Sequence, residues 1–133
     1  MAKDAISPLR VLVIDDQRSV TTIIGHWLGR NGHVVHTVND SRGALQALCE
    51  FRPHVVILDI AMPHLDGYEI ARRIRREPGF DGTPIVACTT LQSGHHYVQA
   101  RAAGITHHIA KPCDLPSLEA LVTGFDTPRG QSE

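Results

Sequence analysis

Five short apolar runs recur along the chain, and they limit its possible folds more than any other feature. The runs are rich in β-branched residues and cover residues 11–14, 34–38, 55–58, 85–88 and 107–110. They start roughly 20 to 30 residues apart, which is enough for a strand followed by a crossover helix. Runs that are apolar throughout are typical of strands covered on both faces. The pattern therefore predicts five parallel strands.

The intervals between these runs carry helical patterns. The first interval has apolar residues at three- and four-residue steps, which predicts a core-facing stripe of Val20, Ile23, Ile24, Trp27 and Leu28. Ser41 is the predicted N-cap of the second helix. We predict five helices, over residues 19–30, 42–51, 68–76, 93–103 and 115–122. Strands and helices that alternate in this way predict an α/β fold built on a doubly wound parallel sheet.

The length and charge of the chain exclude several classes of protein. Its 133 residues suit one domain, so we expect no second, output domain. Its net charge of −1 lacks the basic excess of non-specific nucleic-acid binders, so we expect no direct DNA binding. No apolar stretch approaches the roughly 20 residues of a membrane span, and the amino terminus has no secretory signal. We expect a cytoplasmic protein with no membrane contact.

The three cysteines are Cys49, Cys88 and Cys113, an odd number without CxxC spacing. This pattern argues against a disulfide framework and against a thiolate metal site. We expect the cysteines to be reduced, with Cys49 and Cys88 packed in apolar surroundings.

Polar residues follow four of the predicted strands. Asp15 and Asp16 follow the first strand, Asp59 the third, Thr89 the fourth and Lys111 the fifth. Each of them alone is explained as well by loop polarity or helix capping. In an open parallel sheet, however, ligands bind beyond the carboxyl ends of the strands. The five residues together therefore indicate one site at this edge of the sheet.

The residue types at this edge suggest what the site binds. Three converging carboxylates repel one another unless a cation lies among them, and oxygen ligands suit Mg²⁺ or Ca²⁺. Of the 13 basic residues only Lys3 and Lys111 are lysines. A compact ammonium suits a phosphoryl oxygen better than a broad guanidinium does, and the Thr89 hydroxyl adds a donor. The pattern predicts a hard divalent cation beside a phosphoryl group.

Four segments, VLVIDDQ, VVILDIAMPHLDGYE, PIVACTT and IAKP, occur in this order and spacing. Together they resemble the receiver domain of two-component response regulators, over nearly the whole chain. The resemblance implies a flavodoxin-like sheet of strand order 2-1-3-4-5 with five helices. It places the domain at residues 9–123, with flexible termini at 1–8 and 124–133.

The resemblance also implies a role for each acidic residue. Asp59 would accept the phosphoryl group, and Asp16 would bind Mg²⁺ directly. Asp15 would help to hold the metal, partly through water, while Asp59 and the backbone carbonyl of Ala61 would complete its ligands. In the loop after strand three, Gly67 resembles the family's turn glycine, which tolerates positive φ.

Thr89 and Lys111 would bind the phosphoryl group in such a domain, and Lys111-Pro112 resembles the family's cis peptide bond. One position departs from the family pattern. His108 stands where most receivers have Tyr or Phe, the aromatic residue that moves inward as the threonine engages the phosphoryl group. The predicted switch residues are therefore Thr89 and His108.

The function implied is that of a phosphoacceptor in a two-component or phosphorelay system. A histidine kinase or histidine phosphotransfer protein would donate the phosphoryl group, and helix four, strand five and helix five would form the face for a downstream protein partner. Phosphorylation could also produce a homodimer. Such a domain catalyses only its own phosphorylation and dephosphorylation, so we do not class it as a turnover enzyme.

Several alternatives remain at this point. The chain could be a receiver module cut from a hybrid histidine kinase. It could also be a receiver-like interaction module that phosphorylation does not regulate; the complete set of Asp16, Asp59, Thr89 and Lys111 argues against this, whereas His108 leaves it open. A dehalogenase-type hydrolase needs a DxD motif that Asp15-Asp16-Gln17 does not provide, and flavin binding needs a phosphate loop after strand one. The pairs His95-His96 and His107-His108 point their rings in different directions, which argues against a zinc site.

Overall fold

The computed structural model describes residues 8–90 and 94–125. The elements alternate along the chain in the order β1 (Arg10–Ile14), α1 (Arg18–Arg30), β2 (Val34–Val38), α2 (Ala44–Phe51), β3 (Val55–Leu58), α3 (Gly67–Arg76), β4 (Ile85–Thr89), α4 (Gly94–Ala103), β5 (His107–Ala110) and α5 (Leu115–Gly124). The five strands form one parallel sheet of order β2-β1-β3-β4-β5. The predicted α/β fold with its flavodoxin-like strand order is confirmed.

The core lies on both faces of the three central strands. Successive side chains of a strand point to opposite faces, so each strand contributes to two apolar clusters. One cluster contains Leu12, Val56 and Leu58 of the sheet and packs against α2, α3 and α4. The other contains Val11, Val13 and Ile57 and packs against α1 and α5. Burial on both faces explains why residues 11–14, β3 and residues 85–88 are apolar throughout.

The edge strand β2 departs from the expected burial on both faces. Val34 is 49% exposed, and no residue of this strand is fully buried. Only one edge of this strand has a neighbouring strand, and its cover comes mainly from α1, where Gly25 lies close to Val35 and Thr37. Its apolar sequence therefore reflects β-propensity as much as burial.

Two helix predictions need correction. Ile23 is 54% exposed, so it does not belong to the core-facing stripe of α1. Ser41 is not an N-cap: Asp40 caps a short 3₁₀ turn at Ser41–Gly43, and its carboxylate accepts from the N–H of Arg42. The Ser41 hydroxyl is buried, donates to the carbonyl of Pro63 and accepts from the N–H of Leu65. It therefore ties the start of α2 to the loop after β3.

The cysteine prediction is right in part: Cys49 is a free thiol and Cys88 is buried in the apolar core, but Cys88 and Cys113 are not reduced and Cys49 is not buried. Cys88 and Cys113 form a disulfide bond, although 25 residues separate them. The parallel pairing of β4 with β5 places Cys88 opposite Ile109, which brings the end of β4 close to the loop after β5. Cys49 is exposed on the outer side of α2, where its thiol lies 3.6 Å from a carboxylate oxygen of Glu77. Spacing along the chain cannot reveal a pair that the sheet brings together.

The predicted flexible termini lie mostly outside the described residues, at 1–7 and 126–133. Gly124 is the last residue of α5. Within the described part of the chain, no helix has the length and apolar character needed to cross a membrane.

Candidate functional site

Three carboxylates meet at the carboxyl edge of the sheet. The register of β1 against β3 pairs Ile14 with Leu58, so Asp15 and Asp59 leave the sheet side by side. The N–H of Asp59 donates to the carbonyl of Ile14 over 2.9 Å. One ligand oxygen each of Asp15, Asp16 and Asp59 lie within 4.8 Å of one another. Asp15 and Asp59 are buried, whereas Asp16 is exposed and open to an incoming ligand.

The backbone around Asp15 fixes the position of its carboxylate. Its N–H donates to the carbonyl of Val38, and its own carbonyl accepts from the Asn39 side chain, each over 3.0 Å. Its Oδ1 accepts from the N–H of Gln17 over 2.9 Å. The remaining oxygen, Oδ2, therefore points toward the cluster rather than into the loop.

Lys111 supplies a positive charge to this cluster. Its Nζ lies 2.8 Å from Oδ2 of Asp15 and 3.5 Å from Oδ2 of Asp59. Its backbone N–H donates to the carbonyl of Thr89 over 3.0 Å, which joins the ends of β4 and β5. Burial pulls the pKa of Lys111 down, but the hydrogen bond to Asp15 and the charge of Asp59 outweigh burial and raise it. The ammonium is therefore held charged beside both carboxylates.

The environment of Asp59 opposes its ionisation. Burial raises the pKa of this carboxyl group, and the neighbouring charge of Asp15 raises it further. Lys111 and a backbone hydrogen bond from Ala61 act in the opposite direction without cancelling the rise. A further cation at this site would favour the ionised form.

These side chains fit a hard divalent cation. All three offer oxygen, the donor that Mg²⁺ prefers, and their repulsion is only partly balanced by Lys111. Asp16 is exposed, so a cation can keep several waters there, as Mg²⁺ usually does. Within residues 8–90 and 94–125, this is the one group of three or more His, Cys, Asp or Glu side chains close enough to hold a metal.

Gly67 packs against the backbone that carries Asp59. A Cβ atom at this position would lie 2.6 Å from both the carbonyl oxygen of Asp59 and the Cα of Ile60. Its N–H donates to the carbonyl of Ile60 over 2.8 Å, and Asp66 caps α3 directly before it. Gly67 is not among the positive-φ residues of the described chain, so it is needed for space and not for backbone freedom. In this loop the residue with positive φ is His64.

The other predicted residues lie around this cluster. Thr89 is the buried last residue of β4, Ala61 is exposed in the loop after Asp59, and the peptide bond of Lys111-Pro112 is cis as expected. His108 lies on β5 opposite Ala87, farther along the strand from the carboxylates. Its half-buried ring packs edge-on against Tyr97 of α4 with 4.7 Å between ring centres.

A covalent link that the sequence did not predict lies next to the site. Cys88 directly precedes Thr89, and Cys113 follows Lys111 by two residues. The two strand ends that carry the threonine and the lysine are therefore joined by a disulfide. In the sequence, the disulfide is indicated only by the nearness of the two cysteines to Thr89 and Lys111, the predicted phosphoryl-binding residues.

The sequence of the chain matches a known family. A family model described as the response regulator receiver domain matches residues 11–123. The response regulator MprA of Mycolicibacterium vanbaalenii is 37% identical over 113 residues, which cover 85% of this chain and 48% of that protein. The chain thus spans about half the length of the curated relatives it matches.

Solved structures agree with this assignment. The chemotaxis protein CheY4 of Vibrio cholerae superposes with a TM-score of 0.85 at 29% identity, over 90% of this chain and 99% of that one. The receiver domain of a signal transduction histidine kinase from Syntrophus aciditrophicus gives a TM-score of 0.83 at 26% identity, over 94% and 95% of the two chains. The chain therefore belongs to the family of response regulator receiver domains of two-component signalling.

Proposed function

We propose that this domain takes a phosphoryl group from a histidine kinase or a histidine phosphotransfer protein onto Asp59. The observation that carries the proposal is the position of Lys111, whose ammonium lies within 3.5 Å of both buried carboxylates of a three-carboxylate cluster. A lysine that only stabilises the fold needs a single carboxylate partner. A lysine shared by two carboxylates, with a third exposed carboxylate beside them, suits a site that receives further charged groups.

The chemistry follows from what each side chain can do. A carboxylate oxygen of Asp59 attacks the phosphorus in line with the leaving group, and the product is an acyl phosphate that water later removes. Lys111 balances the negative charge of the phosphoryl oxygens, and the Thr89 hydroxyl donates to one of them. Asp15, Asp16, Asp59 and the carbonyl of Ala61 would hold Mg²⁺, which supplies charge neutralisation when bound. The receiver family is not generally classed among enzymes, and we assign this domain catalysis of its own modification only.

The same proposal places the output surface beside the site. Lys111 is joined to β4 through Thr89, so a group that draws both residues inward reshapes the surface of α4, β5 and α5. We assign this surface to a downstream protein partner or, in the phosphorylated form, to a second copy of the chain. His108 on β5 and Thr89 on β4 would act as switch residues. We place the protein in the cytoplasm, the domain at residues 9–123, and no direct contact with DNA or membrane.

A receiver module of a histidine kinase is the second candidate. The likeness to the kinase receiver of Syntrophus aciditrophicus supports it, since that chain is a receiver domain of a kinase. Both candidates use the same phosphoacceptor chemistry and differ in what the domain is attached to.

Replacement of Asp59 tests the proposal. Incubation with acetyl phosphate and Mg²⁺ should add one phosphoryl group to the wild-type chain, as measured by intact mass. Asp59→Asn should add none, because the amide oxygen is a poor nucleophile. Asp40→Asn is the matched control, since Asp40 is an exposed carboxylate that pairs with Arg42 outside the cluster. Uptake by Asp59→Asn at the wild-type rate would contradict the assignment.

A further inference from the structure

The disulfide between Cys88 and Cys113 links the two chain segments that carry the predicted phosphoryl-binding residues. Cys88 lies next to Thr89 at the end of β4, and Cys113 lies two residues after Lys111 in the loop before α5. The N–H of Lys111 also donates to the carbonyl of Thr89. One covalent bond and one hydrogen bond thus close a short ring that contains Thr89 and Lys111.

The two cysteine residues differ in exposure. Cys88 is 2% exposed and belongs to the core cluster shared with α1 and α5. Cys113 is half-buried and lines a cavity of about 370 Å³ between α1 and the loop after β5. Val20, Ile23 and Leu115 supply much of the apolar wall of this cavity, and Lys111 also lines it. A thiol reagent can therefore reach the bond from the side of Cys113, next to the site.

We propose that Cys88 and Cys113 form a redox-sensitive pair whose oxidation fixes Lys111 against the acidic cluster, so that phosphoryl uptake depends on redox state. The inference rests on the function proposed above. In the reducing compartment that we assign to this chain, protein disulfides are usually transient, catalytic or sensing rather than permanent. A bond placed between two phosphoryl-binding residues has a direct route to the chemistry of the site.

The redox step involves two electrons. In reduction, a thiolate of an external dithiol attacks the sulfur of Cys113, the S–S bond breaks, and Cys88 leaves as a thiolate that takes up a proton. The second thiol of the reductant then releases Cys113 and becomes part of the reductant's own disulfide. In oxidation, hydrogen peroxide accepts two electrons from the two thiols, the S–S bond forms, and two water molecules leave.

Reduction should have two opposite effects on the site. Without the covalent bond, the loop after β5 moves more freely and Lys111 spends less time within reach of Asp15 and Asp59. Phosphoryl uptake should then slow by about tenfold, because a displaced charge stabilises the transferring group less. Mg²⁺ should bind more tightly, because the ammonium of Lys111, which competes with it for the carboxylates, spends less time beside them.

The test compares oxidised and reduced wild-type protein. One sample is treated with hydrogen peroxide and the other with dithiothreitol, and alkylation followed by intact mass counts the free thiols in each. We expect one free thiol after oxidation and three after reduction. Acetyl phosphate uptake and Mg²⁺ affinity, the latter from amide NMR shifts, are then measured on both samples without oxygen.

Two variants show which cysteines are responsible. Cys113→Ser should behave like the reduced wild type under both treatments, and Cys88 then remains as a small apolar core residue. Cys49→Ser should respond to redox treatment as the wild type does, because Cys49 is exposed on α2 away from the pair. The wild-type comparison needs no substitution, so a poorly folded Cys113→Ser protein does not weaken the test.

The outcomes separate this inference from the proposed function. Three alkylated cysteines after peroxide treatment would overturn the inference, and so would equal uptake and equal Mg²⁺ affinity in the two forms. If neither form takes up a phosphoryl group, the proposed function fails alone. A difference in Mg²⁺ affinity between the two forms would then still show that the disulfide holds Lys111 against the acidic cluster, and equal affinities would overturn that part of the inference too.

Discussion

The acidic edge of the sheet and the neighbouring surface of α4 and β5 are built in opposite ways. At the edge, Asp15 and Asp59 are buried, and backbone hydrogen bonds and Lys111 fix their positions. On α4, by contrast, Val98 is 72% exposed, and only Ala100 and Ala103 are buried. At the edge, each side chain is held by several hydrogen bonds, ion pairs or buried contacts, whereas most side chains of α4 have few buried contacts.

This difference corresponds to two requirements of the phosphorylation switch proposed above. Phosphoryl transfer depends on charged groups that are already in place before the reaction. A signalling surface has to change at low cost in free energy, which favours an element with few buried contacts. Substitutions placed separately in the acidic edge and in the surface of α4 and β5 test whether the two regions differ in this way.

The largest expected effect comes from Lys111→Met, which removes the charge at the edge. Phosphoryl uptake should fall by about 100-fold or more, in the range found when one preorganised donor is lost. Mg²⁺ affinity should rise, because the cation no longer competes with the ammonium for Asp15 and Asp59. Rates from intact mass and affinities from amide NMR measure the two effects.

Lys111→Arg is the matched control for this variant. It keeps the charge but adds a broad guanidinium, so its uptake should fall between the wild type and Lys111→Met. If uptake and Mg²⁺ affinity fell together in Lys111→Met, the lysine would be stabilising the fold of the edge rather than serving the chemistry.

A second experiment compares the packing of the two regions with one substitution in each. Gly67→Ala should lower the free energy of unfolding by about 1–3 kcal/mol, because its Cβ would meet backbone atoms of Asp59 and Ile60 at 2.6 Å. Gly94→Ala at the start of α4 should change it by less than about 1 kcal/mol, because a Cβ there has no atom within 4 Å. Urea denaturation measures both. Equal losses would remove the contrast in packing.

A third experiment follows the surface directly, with beryllofluoride as a phosphoryl mimic. Amides of α4 and of residues 107–109 should shift, while those of α2 should remain in place. The reason is that α4 has few buried contacts to break, whereas Leu48 of α2 is completely buried in the core. NMR spectra recorded with and without the mimic measure these shifts. If the amides of α4 do not shift, the output surface lies elsewhere.

The sequence predicts the fold well because the fold depends on local patterns. The predicted bounds of each strand agree with the structure within one residue, because buried parallel strands are continuously apolar and a helix must separate them. The residues that the structure brings to the edge were found for a similar reason: Asp15, Asp59 and Lys111 each follow a strand, and parallel strands end at one edge.

The features that the sequence does not predict depend on tertiary contacts. Cys88 and Cys113 meet only because β4 pairs with β5, which spacing along the chain does not encode. Ile23 has the periodicity of a core residue but lies beyond the reach of the sheet and lines the cavity beside Cys113. For Gly67, the chain suggested a backbone requirement, while the structure shows a packing one.

The smallest expected effect concerns His108, which departs from the family pattern and lies on the surface of α4 and β5. Burial lowers the pKa of this imidazole, and the charge of neighbouring His107 lowers it further. Its ring packs against Tyr97, and its Nε2 is buried with no hydrogen-bond partner among the described residues. The folded chain therefore binds a proton at His108 more weakly than the unfolded chain, in which histidine titrates near pH 6.5.

The sign of the pH effect follows from this difference. His108 leaves stability unaffected above about pH 6.5 and reduces it as the pH falls from there toward the lowered pKa of the folded state. His108→Tyr should remove this part of the decline, whereas His26→Gln should keep it, because His26 is exposed on α1. Urea midpoints at about pH 7.5 and 5.5 measure the decline for all three proteins. If it persists unchanged in His108→Tyr, the titrating group lies elsewhere, and pH sensitivity is not a property of the α4–β5 surface.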